Sequence, residues 1–235
     1  PLAEKHLYHQ YHEHFDEVAP YLDRMLKEAP DEAGNAWGRI ATLAVLSGHI
    51  TEDDLFQRLE SMNLNEAWLG TSQVFAANLD QHLHDNLCVN GLQRILRVNN
   101  LSQGVYRSIE HAFDPKHHGR HLGADIAINF IDRIAPDDQH FDLHIILDWI
   151  ADLAGKNPLA ALGICERLVE RLSMLTTPYR IWHTEPLIAA LSNILREADE
   201  TDNPDLIKRA VRLQDQFLQM DIPGMDDYLK QASQL

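Results

Sequence analysis

The sequence is short of the features that mark several large protein classes. It holds two cysteines in 235 residues, which excludes a secreted scaffold stapled by disulfides. No apolar run approaches the length of about 20 residues that a membrane-spanning helix requires. Lys and Arg number 20 against 36 Asp and Glu, a net charge of -16. We therefore expect a cytoplasmic, globular chain with no membrane contact, and the charge weighs against general nucleic-acid binding.

Several enzyme signatures are also missing. The chain has no Gly-rich phosphate-binding loop followed by Lys and Ser or Thr, no Gly-x-Ser-x-Gly, no Cys-x-x-Cys and no His-Glu-x-x-His. These patterns carry nucleotide hydrolysis, acyl transfer, thiol redox chemistry and zinc proteolysis, respectively. We predict no cofactor, and we favour a binding role over a catalytic one.

Amphipathic helices follow one another along the chain, and no strand pattern interrupts them. Ala36 to Ser47 is apolar nearly all round, which predicts an inner helix. Pro30 and Gly34 are expected to separate it from a first helix that ends near Lys27 and is kinked or split at Pro20. Four polar residues are predicted as helix N-caps: Thr51, Asn65, Asn157 and Asn203.

This pattern predicts about twelve helices with about 35 to 45 residues per helix pair, the period range of helical repeats. The predicted fold is all-α: an α-solenoid of stacked antiparallel helix pairs, a HEAT/armadillo-like superhelix. We expect residues 1–235 to form a single helical-repeat domain. A compact helical bundle stays open as an alternative, because a single sequence predicts helices better than their arrangement.

Four segments resemble a known kind of protein: AWGRIATLAVLSG at 36–48, the helix at 68–79, DLIKRAVRLQDQF at 205–217 and GMDDYL at 224–229. They look like the HEAT-type C-terminal regions of large bacterial P-loop ATP-binding proteins of the STAND type. The resemblance implies a helical sensor arm in signalling or phage defence. Because the chain starts at Pro1, without an initiator Met or a signal peptide, we expect a fragment of a longer protein.

One region departs from the acidic character of the chain. Residues 90–133 carry a net charge of +2 within a total of -16. We predict a binding surface here for a protein partner or a neighbouring domain, and weak nucleic-acid contact is an open alternative. For His117, His118 and His121 we favour an ordinary polar loop over a functional patch. The candidate residues are Arg94, Arg97, Arg107, Lys116, His117, His118, Arg120 and His121.

Histidine clusters are the remaining places for metal chemistry. His140, His144, Asp148 and Asp152 recur every four residues along one helix face, and imidazole with carboxylate is a ligand set for zinc. We favour a solvated polar stripe, because the other faces of this helix are apolar. The same interpretation is favoured for the spaced histidines near the start of the chain, which are His6, His9, His12 and His14.

Two enzymatic alternatives stay open. His84 and Asp85, with His49 and Asp148 as further ligands, would suit an all-helical, metal-dependent phosphohydrolase of the His-Asp type. A HEAT-like DNA glycosylase is the other alternative, and it would need a basic concave face.

Overall fold

The computed structural model describes residues 14–79, 85–114, 122–133, 143–174 and 185–220. Within these ranges the chain forms eleven α-helices and no strand, which confirms the predicted all-α class. None of these helices is both long and apolar enough to cross a bilayer. In chain order the helices are α1 (Phe15–Glu28), α2 (Pro30–Leu46), α3 (Glu52–Met62), α4 (Asn65–Ala77), α5 (Asp85–Ile95), α6 (Gln103–His111), α7 (Ala124–Asp132), α8 (His144–Ala154), α9 (Pro158–Ser173), α10 (Glu185–Glu200) and α11 (Pro204–Gln219).

Three predicted N-caps are confirmed. The Thr51 hydroxyl accepts a hydrogen bond from the backbone N–H of Asp54 at 3.1 Å, and the Asp54 carboxylate accepts one from the Thr51 N–H at 3.3 Å. Such a capping box satisfies two backbone donors that the first turn leaves unpaired. The Asn157 and Asn203 side chains each accept from the N–H three residues ahead. In both cases the next residue is a proline at the first helical position.

The predicted break around Gly34 is wrong. Helix α2 begins at Pro30, whose missing N–H costs nothing in a first turn, and it runs through a buried Gly34. A split of the first helix at Pro20 is also wrong, because α1 is continuous from Phe15 to Glu28. Helix α2 is therefore longer than predicted at its N-terminal end.

Asn65 is not the cap of α4. Leu64 occupies the N-cap position and Asn65 is the first helical residue. The Asn65 carboxamide oxygen instead accepts a hydrogen bond from the backbone N–H of Ser102 at 2.8 Å. The Asn65 side chain thus pairs with a backbone donor at the N-terminus of α6 and does not cap its own helix.

The chain divides into two compact units, Pro1–Ala112 and Phe113–Leu235. We describe each by itself, and the expectation of a single domain stays a prediction.

In the first unit, α2 packs against α1, α3 and α4, which confirms it as an inner helix, and α4 also packs against α5 and α6. The contact between α2 and α4 depends on glycine. A Cβ atom on Gly38 would lie 2.1 Å from the Ala67 carbonyl oxygen, and one on Gly70 would lie 2.2 Å from the Asn35 carbonyl oxygen. The two backbones therefore touch, and even a methyl group at either glycine would collide with the opposite helix.

In the second unit, α9 packs against α7, α8, α10 and α11, and α8 packs against α10. The core here is built from large rings: the Phe113 ring centroid lies 5.4 Å from that of Phe130 and 5.2 Å from that of Trp149. Most of the predicted apolar stripe of α10 is buried. Its buried members are Leu187, Leu191, Ile194 and Ala198, whereas Ile188 and Leu195 are half-buried.

Candidate functional site

The structure describes three of the eight residues of the predicted binding surface. Arg94 lies in α5, Arg97 in the turn after α5, and Arg107 in α6. The other five, Lys116, His117, His118, Arg120 and His121, lie outside the described residues.

Arg94 is held by neighbouring side chains. Its Nη1 lies 2.7 Å from Asp53 Oδ1 and 3.6 Å from Glu52 Oε1, and its guanidinium stands 4.1 Å from the centroid of the Phe56 ring. Burial raises the pKa of Glu52, although Arg94 lowers it. Both carboxylates belong to the first turn of α3, so Arg94 links α5 to α3 through charge and through the ring face. The structure thus gives Arg94 a structural role, and its binding role stays a prediction.

Arg97 and Arg107 have a different environment. Both side chains are exposed, and neither forms a hydrogen bond or an ion pair with another described residue. His111 follows Arg107 by four residues on α6 and is exposed too. Residues four apart share one face of a helix, so Arg107 and His111 lie on the same exposed face of α6.

The polar stripe of α8 is solvated and internally paired. His144 Nε2 lies 3.6 Å from Asp148 Oδ2, and Asp152 forms an ion pair with Lys156. Roughly two-fifths of the side-chain surface of His144 and of Asp148 is exposed. Within the described ranges no group of three or more His, Cys, Asp or Glu could hold a metal ion. His140 lies outside those ranges, so a metal held by His140, His144 and Asp148 stays the untested alternative to the favoured polar stripe.

The remaining histidines are scattered or outside the described residues. His14 is exposed, with its Nδ1 3.9 Å from Glu17 Oε1. His49 is exposed in the turn after α2, and Asp85 begins α5. The histidine candidates that lie outside the described residues are His6, His9, His12 and His84.

Sequence reasoning missed a set of polar links between helices. In the first unit, Arg39 donates from Nε and Nη2 to the Gln73 side-chain oxygen at 3.1 and 2.6 Å, and Arg58 donates to Asp23 at 2.8 Å. In the second unit, Arg167 bridges α9 to Asp132 of α7. No local signal could have revealed these links, because the two partners of each are 34 or 35 residues apart.

The link between α9 and α11 has the strongest geometry. Arg209 Nε donates to Glu166 Oε1 at 3.0 Å and Arg209 Nη2 donates to Oε2 at 2.7 Å. This two-bond arrangement raises the pKa of Arg209. Arg167, next to Glu166 on α9, is bonded to Asp132 and to Glu170, and these bonds raise its pKa. Helix α9 therefore carries links toward two of its neighbours.

Comparison of the chain with protein-family models, with curated proteins and with solved structures finds no match. The resemblance to the helical arms of bacterial STAND-type ATP-binding proteins stays a prediction.

Proposed function

We propose that the chain is a non-catalytic interaction module: an α-solenoid of stacked antiparallel helix pairs that recognises a protein partner or a neighbouring domain. One observation carries the proposal. Six polar links between helices each join residues 34 to 43 positions apart in the sequence. The separations are 35 residues for Asp23 with Arg58, 34 for Arg39 with Gln73, 41 for Asp53 with Arg94, 37 for Asn65 with Ser102, 35 for Asp132 with Arg167 and 43 for Glu166 with Arg209.

This spacing matches the period of about 35 to 45 residues expected of a helix-pair repeat. In a solenoid each repeat contacts its neighbours, so a side chain reaches a partner about one repeat away. The helix packing agrees: every main contact within the described ranges joins helices one or two places apart, such as α2 with α4, α4 with α6 and α9 with α11. A closed bundle commonly adds contacts between the first and last helices.

A binding role follows from the proposed architecture. Stacked helix pairs leave extended grooved surfaces, which helical-repeat proteins use for recognition. We place the module in the bacterial cytoplasm, as a sensor arm of a longer signalling protein. Two buried free cysteines, Cys88 and Cys165, suit a reducing compartment.

Small-angle X-ray scattering tests the architecture. A globular protein of 235 residues has a radius of gyration of about 18 Å. We expect a clearly larger value and an elongated distance distribution, and a value near 18 Å would contradict the solenoid. Photo-cross-linking of the full-length gene product in its own host tests the function. Cross-links from exposed helix positions to another domain or protein are expected, and a full-length product without any further domain would exclude the sensor-arm role.

Metal analysis of the purified protein separates the module from the metal-dependent phosphohydrolase. Stoichiometric zinc, manganese or iron that is lost in His84→Ala or in His144→Ala would overturn the proposal. The matched control is His111→Ala, which changes an exposed histidine that belongs to neither proposed ligand set.

A further inference from the structure

Helices α1, α3 and α5 are linked in series. Arg58 of α3 donates a hydrogen bond to Asp23 of α1 at 2.8 Å, and Arg94 of α5 donates one to Asp53 of α3 at 2.7 Å. In both links the arginine belongs to the later helix and the carboxylate to the earlier one. Helices α3 and α5 therefore each reach back to the preceding member of the series with an arginine.

Helix α3 uses two different sides for its two links. At about 100° per residue, Arg58 and Asp53 lie about 140° apart around the axis of α3. Helix α1 uses one side in the same way, because Asp23 binds α3. Tyr21 and Met25 each lie two residues from Asp23 along α1, which places them about 160° from it around the axis. They therefore lie on the side of α1 that is turned away from Asp23 and its partner α3.

This side of α1 is apolar and exposed. Tyr21 is 62% exposed and Met25 is 50% exposed. Among the exposed large apolar side chains of the described ranges, no other two lie within one helical turn of each other. The main helix contact of α1 within those ranges is with α2. Because a stack of helix pairs needs a polar outer face where it ends, this side has the character of a contact surface. We call Tyr21, Arg24 and Met25 the far side of α1.

Arg24 lies on the far side without a carboxylate to bind. Its guanidinium stands 5.6 Å from the centroid of the Tyr21 ring, and it forms no ion pair with a described residue. Two carboxylates lie within four residues of it on α1. Asp23 is bound to α3, and Glu28 is exposed and does not pair with it. Arg24 therefore matches the arginines with which α3 and α5 reach back, but among the described residues it has no preceding helix to reach.

We propose that the far side of α1 docks an acidic amphipathic helix that precedes residue 1 in a longer protein. A carboxylate of that helix binds Arg24, and its apolar side chains cover Tyr21 and Met25. The inference rests on the proposed α-solenoid, and it names one surface of the module and the partner that this surface takes. Opposite charges across such a contact favour the correct partner over others.

The spacing of the existing links favours a preceding helix as the occupant. The two links of the series join residues 35 and 41 positions apart. The same spacing counted back from Arg24 falls before residue 1. A second copy of the chain fits less well. The carboxylate with which α1 itself serves a later helix is Asp23, and Arg58 already binds it.

Photo-cross-linking of the full-length gene product tests the proposal. The probe is p-benzoylphenylalanine, placed at Tyr21 or at Met25, and mass spectrometry identifies the cross-linked peptide. We expect an intramolecular cross-link to an acidic helical segment that precedes residue 1. With the probe at Met25, Arg24→Glu should lower the cross-linking yield by at least about fivefold, because like charges would then face each other.

The matched control lies on the same helix. Lys27 is exposed and lies about 160° from Met25 around the axis of α1, so a probe at Lys27 should not reach the same segment. Lys27→Glu should leave the yield from the probe at Met25 unchanged within about twofold. Circular dichroism checks that the variants are folded, and Arg24→Gln gives a milder change in case Arg24→Glu is not. Equal losses in Arg24→Glu and Lys27→Glu would overturn the role of Arg24.

Other results would overturn the docking surface itself. They are a full-length product that begins at residue 1, no cross-link from Tyr21 or Met25, or cross-links only to residues 1–13, to residues after 235, to a second copy or to a different protein. Scattering, and cross-links from other exposed positions, test the interaction module separately. If those experiments succeed while the far side of α1 gives no cross-link to a preceding helix, only the surface assignment is lost.

Discussion

Both compact units bury aromatic rings and have ion pairs between helices, but their helix contacts differ in how closely the backbones approach. In the first, α2 meets α4 at Gly38 and Gly70, where the two backbones touch. In the second, α9 packs against its neighbours through large buried side chains, and at its edges Arg167 and Arg209 join it by ion pairs to other helices. The one glycine inside α9, Gly163, has open space around it: a Cβ there would meet nothing within 4 Å.

This difference shows that a glycine inside a helix has a packing role only where a neighbouring helix approaches it. At Gly38 the missing side chain allows α2 to contact the backbone of α4. At Gly163 no atom lies within 4 Å of a Cβ position, so the glycine only lowers the stability of α9. The sequence shows the same residue in both places. What distinguishes them is the neighbouring helix, which at Gly38 presents the Ala67 backbone.

The largest effect is expected from the rings of the second unit. Phe113 is fully buried between Phe130 and Trp149. Phe113→Ala should lower the free energy of unfolding by about 3–5 kcal/mol, because it removes buried apolar surface and leaves a cavity. Urea titration followed by tryptophan fluorescence measures the change. Phe113→Leu is the control and should cost less than about 2 kcal/mol. A loss for Phe113→Ala as small as for Phe113→Leu would show that large side chains do not dominate this unit.

The glycine comparison gives the next largest effect. Gly38→Ala should lower the free energy of unfolding by about 1–3 kcal/mol, since the new methyl group must push α2 and α4 apart. Gly163→Ala should raise it by about 0.5–1 kcal/mol, because alanine is the better helix former and no atom opposes it. The same urea titrations measure both. If both variants raised, or both lowered, the free energy of unfolding, the proposed difference between Gly38 and Gly163 would be wrong.

Each unit also has a confirmed cap that can be removed. Thr51→Ala deletes the hydroxyl that caps α3, and Asn157→Ala deletes the carboxamide that caps α9. Each should cost about 1 kcal/mol, with the larger loss at Thr51, whose hydroxyl accepts from the Asp54 N–H and also donates to the Asp54 carboxylate. Thr51→Ser keeps the hydroxyl and serves as control. A cost in Thr51→Ser equal to that in Thr51→Ala would mean that the methyl group matters rather than the cap.

Caps were predictable from sequence because their hydrogen bonds are local. Thr51, Asn157 and Asn203 each bond a backbone N–H only three residues ahead, so the pattern of cap and following helix contains both partners. Asn65 looked the same in sequence, yet its partner is Ser102, 37 residues away. Its role depends on which helix lies beside it, and no local pattern indicates that.

The same limit applies to the candidate binding surface. Arg94 and Arg97 are three residues apart in one basic region, and the sequence gives no reason to separate them. The structure does, because Asp53 and Phe56, which lie about forty residues earlier, bind Arg94 and leave Arg97 exposed. The helical class and the apolar faces follow from periodicity, whereas the pairing of charges depends on which helices become neighbours.

The smallest effect is expected from the ion pair between Glu166 and Arg209. Both side chains are more than a third exposed, so water and salt screen their attraction. The two-bond geometry keeps the coupling free energy near the upper end of the range for exposed ion pairs. A double-mutant cycle with Glu166→Gln and Arg209→Met should give a coupling free energy of about 0.5–1 kcal/mol that falls as salt is added. The matched cycle uses Asp23→Asn and Arg58→Met in the first unit, where a single hydrogen bond joins the pair and a smaller coupling is expected. A larger coupling there would mean that ion pairs contribute at least as much in the first unit as in the second.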